Sequence, residues 1–137
     1  MAPMKPIGWY LKEADSLITS TFDASFESLG ITRFHWQVLK NIKDDGQLNK
    51  KDYYPKVSRF ITATELDDIL SSLISREWVM IAQDNYFMTD MGKHAFAKME
   101  TLQQEVKEKM MSGSNPEDYN TTVKFLSLII NNLGGKA

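Results

Sequence analysis

A chain of 137 residues with 42% hydrophobic and 25% charged side chains has the makeup of one globular domain, or of a small domain carrying oligomerisation helices. The absence of cysteine excludes disulfides, thiolate metal sites and cysteine nucleophiles, and no apolar run nears the ~18 residues of a membrane span. The N-terminus "MAPMKPIGWYLKEADSL" has no long apolar core and no small-residue cleavage site, so a cytoplasmic protein is expected.

The net charge is only −2, but all of it sits in the middle of the chain. Residues 1–42 balance four cations against four anions, and residues 90–137 balance six against six. Residues 43–89 set six cations against eight anions. A basic middle would favour nucleic acid, and this one is mildly acidic.

In chain order, residues 7–29 predict one long helix. Leu11, Ala14, Ile18, Phe22, Phe26 and Leu29 recur three or four apart and form a single apolar stripe. Gly30 ends it as a C-terminal glycine does. Thr32 caps a second helix with apolar positions Phe34, His35, Val38, Leu39 and Ile42. The Asp-Gly of "KDDGQLN" marks a loop. "KKDYYPKVSRF" is a short helical or irregular piece, because Pro55 belongs in a first turn or at a break. Thr62 and Glu65 form a capping-box pattern for a helix that buries Leu66, Ile69, Leu70, Leu73 and Ile74. "WVMIA" and "YFM", separated by "QDN", predict a short hairpin. Thr89 caps a helix from Asp90 to about Met111, with Met91, Ala95, Met99, Leu102, Val106 and Met110 inward. Pro116 opens a last helix, with Glu117 and Asp118 where the helix dipole favours acids. That helix buries Tyr119, Val123, Leu126, Ile129, Ile130 and Leu133 before Gly134-Gly135 stops it.

The expected fold is mainly α with a small β-hairpin: a winged helix-turn-helix with long N- and C-terminal dimerisation helices. Residues 1–30 form the N-terminal dimerisation helix, 31–89 the winged lobe and 90–137 the C-terminal dimerisation helices. The apolar faces of the outer helices exceed what the small lobe can cover, so a homodimer is expected.

With that element order in place, three stretches resemble the MarR (multiple antibiotic resistance regulator) family of bacterial transcription factors. "LGITRFHWQVLKNI" is similar to that family's entry into its second helix. "LDDILSSLISREWV" resembles the end of its recognition helix and the run into the wing, and "YFMTDMGKHAF" resembles the second wing strand and the threonine-x-x-glycine start of the next helix. The resemblance spans nearly the whole chain. It implies a two-fold dimer made by the terminal helices, recognition helices in successive major grooves, and often a ligand crevice between dimer and DNA lobes. Departures fall in the DNA-binding parts. The family's usual threonine aligns with Glu65, its usual arginine with Asp68, and a closing glycine with Glu77. The wing tip "AQDN" contains no arginine or lysine.

The candidate DNA-binding residues are therefore Thr62 and Thr64 near the bases and Lys50, Lys51, Lys56 and Arg59 on phosphates. The last four, against Asp52, give a local charge of +3. Glu65, Asp67 and Asp68 oppose them, because phosphate contacts supply most affinity and register. The same acids also read as ordinary N-terminal helix residues, as a surface for a basic protein partner, or as acceptors for cytosine N4. The resemblance offers Arg33, His35 and Trp36 as lining for a crevice taking a small aromatic ligand. The plainer reading of His35 and of His94 is structural, since neither has a metal-like companion at helical spacing. No cofactor or metal is expected, and no nucleophile elbow, phosphate loop or acid–base pair argues for an enzyme. The expectation is a regulator whose DNA binding is weak or atypical. The alternative is a winged-helix interaction module that has lost DNA binding and acts through a protein partner.

Overall fold

The computed structural model describes residues 3–137. Its elements run α1 (Ile7–Phe26), a one-turn 3-10 helix (Glu27–Leu29), α2 (Arg33–Asp45), β1 (Leu48–Asn49), α3 (Lys50–Val57) and α4 (Ala63–Ser75). After these come β2 (Val79–Ala82), β3 (Asn85–Met88), α5 (Asp90–Met110) and α6 (Pro116–Asn132). This is a mainly helical winged helix-turn-helix with one small sheet. The chain divides into two compact units, one ending at Val106 and one spanning Lys107–Ala137.

The first unit holds the core. Phe26, Leu39, Leu73 and Met99 are fully buried, with Val38, Ile42, Leu48, Leu66, Leu70, Val79 and Phe96 packed among them. The sheet is antiparallel in the order β1-β3-β2, with Leu48 opposite Tyr86 and Ile81 opposite Tyr86 from the other side. β1 lies where a plain loop was expected. Two residues carry no alternation to read, and the strand exists only because β3 supplies a partner, tied further by Asn49 Nδ2 donating to Asn85 Oδ1 at 3.1 Å. Pro55 sits inside α3 rather than at its start or at a break. In this eight-residue helix a proline at the sixth position removes a single i→i−4 bond, and buried Tyr53 and Val57 hold the turn regardless.

Capping chemistry sets the helix starts. Thr62 N–H donates to Glu65 Oε1 at 3.0 Å, and Glu65 N–H donates to Thr62 Oγ1 at 3.1 Å. Asn115 and Asp118 exchange the same pair of bonds at α6, with Pro116 as its first residue. At α5, Gly92 N–H donates to Thr89 Oγ1 at 3.0 Å, and that hydroxyl donates to the Glu77 carbonyl. A side chain at Gly92 would place its first carbon 2.0 Å from the Trp78 carbonyl oxygen, so the threonine-x-x-glycine pattern records a close approach of α5 to the start of the wing.

Several expected core positions are corrected. Ile74, Met91 and Met110 are exposed, and Gly92 and Phe96 take the inward places on α5. Leu11 and Ala14 are exposed, as is α1 throughout Ile7–Leu17. No residue of α6 is buried: Tyr119, Val123 and Ile130 are exposed, as is Leu133 just beyond it, and Leu126 and Ile129 are half-buried. On α5 the inward face is turned from the predicted stripe, and on α1 and α6 an apolar stripe says nothing about whether its cover lies within the same chain. Glu77 closes α4 at φ 62, in the left-handed region that favours glycine. Gln83 and Asp84 form the wing's two-residue turn with both φ positive, as a type I′ turn requires.

Candidate functional site

α3 and α4 form the helix-turn-helix, and Tyr53, Val57, Ile61, Leu66, Ile69, Leu70 and Leu73 bury its inner side. The outer side of α4 carries Thr64, Glu65, Asp67, Asp68 and Ser71, all exposed. Thr62 is exposed too, but its hydroxyl accepts from Glu65 N–H. Lys50 opens α3 and points to α4, where its ammonium meets Asp67 Oδ1 at 2.9 Å. That hydrogen bond, and then the carboxylate's charge, hold the lysine above its ordinary pKa. Lys51, Lys56 and Arg59 are exposed and make no ion pair among the described residues. Of the four cations on and beside α3, one is thus committed to neutralising an acid of α4. The wing adds none: Met80, Ile81 and Ala82 on β2 are exposed and uncharged.

The second candidate group lies at the start of α2. Asp23 of α1 accepts from Arg33 N–H at 2.7 Å and so satisfies a free donor of the first turn. The Arg33 guanidinium donates to Thr19 Oγ1 at 2.8 Å, stands 3.7 Å from Asp15 and lies 5.6 Å from the centre of the Phe22 ring. Trp36, three residues on, stacks on the same Phe22 with centroids 6.1 Å apart and planes 16° from parallel. Arg33 and Trp36 therefore share one helix face and one aromatic neighbour. Arg33 Nε and Trp36 Nε1 are both buried, and neither has a hydrogen-bond partner among the described residues. Two buried donors without acceptors are costly and call for an explanation.

His35 does not join them. Its Nδ1 accepts from Thr32 N–H at 3.2 Å and lies 2.9 Å from the Thr32 hydroxyl, so the imidazole stands where a glutamate stands in a capping box. Burial lowers its pKa, Arg76 lowers it further, and Asp23 opposes both. The neutral ring is the form the cap needs. Sequence reasoning missed Arg76, which donates to the Leu29 carbonyl at 2.7 Å and the Gly30 carbonyl at 2.9 Å while stacking over Trp78 at 5.0 Å. It ties the end of α4 to the turn between α1 and α2, across 46 residues that no local pattern connects. Phe22 was legible only as part of the apolar stripe of α1, and Thr19 and Asp23 left no signal of this role.

No protein-family model and no curated protein matches the sequence. Solved structures do. A mutant of Escherichia coli MarR complexed with operator DNA superposes with a TM-score of 0.77 at 16% identity, over 91% of this chain and 94% of that one. Bordetella bronchiseptica BpsR, whose DNA binding is regulated by 6-hydroxynicotinic acid, gives 0.77 at 17% identity over 93% and 97%. A MarR family protein of Mycobacterium tuberculosis in complex with salicylic acid gives 0.71 at 14% identity over 90% and 98%. Likeness at such identities establishes architecture: this chain has the fold of the MarR-family winged-helix regulators.

Proposed function

We propose that the protein is a MarR-like transcriptional regulator acting as a homodimer on operator DNA, with binding that is weak and strongly dependent on its few free cations. The observation that carries this reading is the outward face of α4. It presents Thr64 together with Glu65, Asp67 and Asp68, while Lys50 is held by Asp67. In this reading Thr62 and Thr64 lie nearest the bases, and Lys51, Lys56 and Arg59 carry the phosphate contacts, joined by Lys50 when it leaves Asp67. Residues 1–30 and 90–137 serve dimerisation on either side of the lobe at 31–89. Three phosphate cations per copy predict modest affinity that disappears steeply with salt.

Labelled genomic fragments titrated with protein and then with salt test this. Retention at about 50 mM salt with sequence selection supports the regulator. Asp67→Lys with Asp68→Lys frees Lys50 and adds two cations, so non-specific affinity should rise by at least about tenfold at low salt. An unchanged affinity would mean that α4 does not face DNA. The second reading, an interaction module that has lost DNA binding, draws on the uncharged wing, and no retention of any fragment at low salt would establish it over the first.

The unpaired donors of Arg33 and Trp36 support a crevice for a small aromatic ligand bearing an acceptor group, of the kind that regulates BpsR and that is in complex with the Mycobacterium tuberculosis protein. Tryptophan fluorescence titrated with salicylate or 6-hydroxynicotinate should change, and Arg33→Gln should weaken binding by about tenfold, near the 1.4 kcal/mol of one lost charged contact. Equal affinity in the variant would remove Arg33 from the crevice.

A further inference from the structure

Two exposed apolar features of the lobe stand in settings of opposite charge. The first is Phe60, 69% exposed in the turn that follows α3. Its N–H donates to the Val57 carbonyl at 2.9 Å, so the chain keeps a helical turn there. Lys56, four residues back, therefore lies beside the ring, and Arg59 adjoins it. Lys51, Lys56 and Arg59 are exposed and make no ion pair among the described residues.

The second is the wing. Met80 and Ile81 are each 51% exposed on β2, an edge strand of the sheet. Acids bound them at both ends. Asp84 stands at the tip. At the base, Thr89 N–H donates to the Trp78 carbonyl at 3.0 Å, which brings Glu77 and Asp90, one residue beyond on each side, to the foot of the hairpin. Glu77 and Asp84 have no ion pair among the described residues, and Asp90 meets Lys93 at 3.9 Å in an exposed pair that contributes little. An apolar strand bounded by acids repels phosphate. It fits a surface with an apolar centre and cations around it, and this chain carries such a surface at Phe60.

We propose that the wing of one copy docks on the Phe60 turn of another, with Met80 and Ile81 against the Phe60 ring and Glu77, Asp84 and Asp90 opposite Lys51, Lys56 and Arg59. Wing on wing sets acid on acid, and turn on turn sets cation on cation, so the unlike pairing is the attractive one. The Met80 thioether suits an aromatic neighbour. Because the two surfaces differ, the interface is heterologous: each copy offers one of each, and assembly does not stop at two. A handful of side chains falls short of the roughly 20–30 residues a side of a standard interface, so the contact is weak and acts at high concentration. It uses no residue of α1 or α6. Its cations are those assigned above to phosphate, so a copy seated on a wing cannot hold DNA by the same side chains. The interface itself does not rest on the DNA reading.

The test is sedimentation of the full chain at about 300 μM, in about 20 mM and then about 0.5 M salt. At low salt the mean mass should exceed its value at about 10 μM by at least about twofold, and high salt should return it, since charges on exposed side chains are screened there. Lys56→Glu with Arg59→Glu leaves both surfaces acidic, and Glu77→Lys with Asp90→Lys leaves both basic. Each double variant alone should stay at its dilute mass. An equal mixture of the two should assemble again at low salt, because each then meets an unlike surface. Phe60→Ser, at an exposed position, should weaken assembly by at least about threefold with every charge in place. The proposal is overturned if the native chain shows no salt-sensitive rise in mass, or if either double variant alone assembles as the native chain does. It is overturned equally if Phe60→Ser has no effect, or if the mixture stays at the mass of its parts while both variants keep the native circular dichroism.

Discussion

At the scale of single residues, His35 shows how a side chain that reads as a ligand group can be a structural one. Its Nδ1 holds the Thr32 N–H that would otherwise go unsatisfied at the start of α2. The folded protein resists protonating it, chiefly through burial and then through Arg76. The sign of the linkage follows. Below the ordinary histidine value of about 6.5 the unfolded chain takes up a proton that the folded chain refuses, so stability is full above that pH and falls as the solution is acidified toward the lowered folded value. His35→Gln keeps an acceptor at the same capping position without a titrating group. Its melting temperature should therefore change less than the native protein's between pH 7 and about 5. Superimposable profiles would show that His35 carries none of the acid sensitivity. Glu77 is the complementary case. Its φ of 62 holds a side chain in the left-handed conformation that glycine adopts most readily.

Among elements, the ends of helices were legible and the pairings between them were not. Thr62 with Glu65 and Gly30 after Leu29 each satisfy backbone groups within four residues, and Pro116 gives up an N–H that a first turn leaves unpaired, so their signal is local. β1 left none, and the bond from Lys50 to Asp67 joins α3 to α4 across a turn whose angle no periodicity encodes. That ion pair changes the functional reading, because the basic cluster loses a member to the acidic face it was expected to offset. The wing invites a direct test. β2 and its turn expose Met80, Ile81, Ala82 and Gln83 and contain no cation. Ala82→Arg with Gln83→Lys adds two cations at the wing tip without altering the turn's need for a positive φ at position 83. If the wing follows the DNA backbone, the slope of log affinity against log salt should steepen by about 0.9 per added contact and side, with sequence preference unchanged. An unaltered slope would place the wing away from the duplex and favour a protein-facing surface.

For the whole molecule, the open question set by the chain itself is what covers its terminal helices. α6 exposes Tyr119, Val123, Phe125, Leu128 and Ile130, with Leu133 just beyond it, and the first half of α1 exposes Ile7, Trp9, Tyr10, Leu11 and Leu17. Apolar exposure on this scale is uncommon for a monomer and typical of an association surface. No residue of helix α6 is buried. A two-fold dimer through these faces would supply both the cover and the stability, and would carry two copies of α4 to one duplex. Sedimentation at roughly 10 μM should then show two chains. Val123→Glu with Ile130→Glu sets four carboxylates into such an interface, and should yield monomer with a lower melting temperature. The same variant should lose about half of the salt slope for DNA, because each copy then brings only its own cations. A native protein that sediments as one chain, or a double variant that still sediments as two, would mean that the terminal helices are not the dimer interface, and the operator model built on paired recognition helices would fall with them.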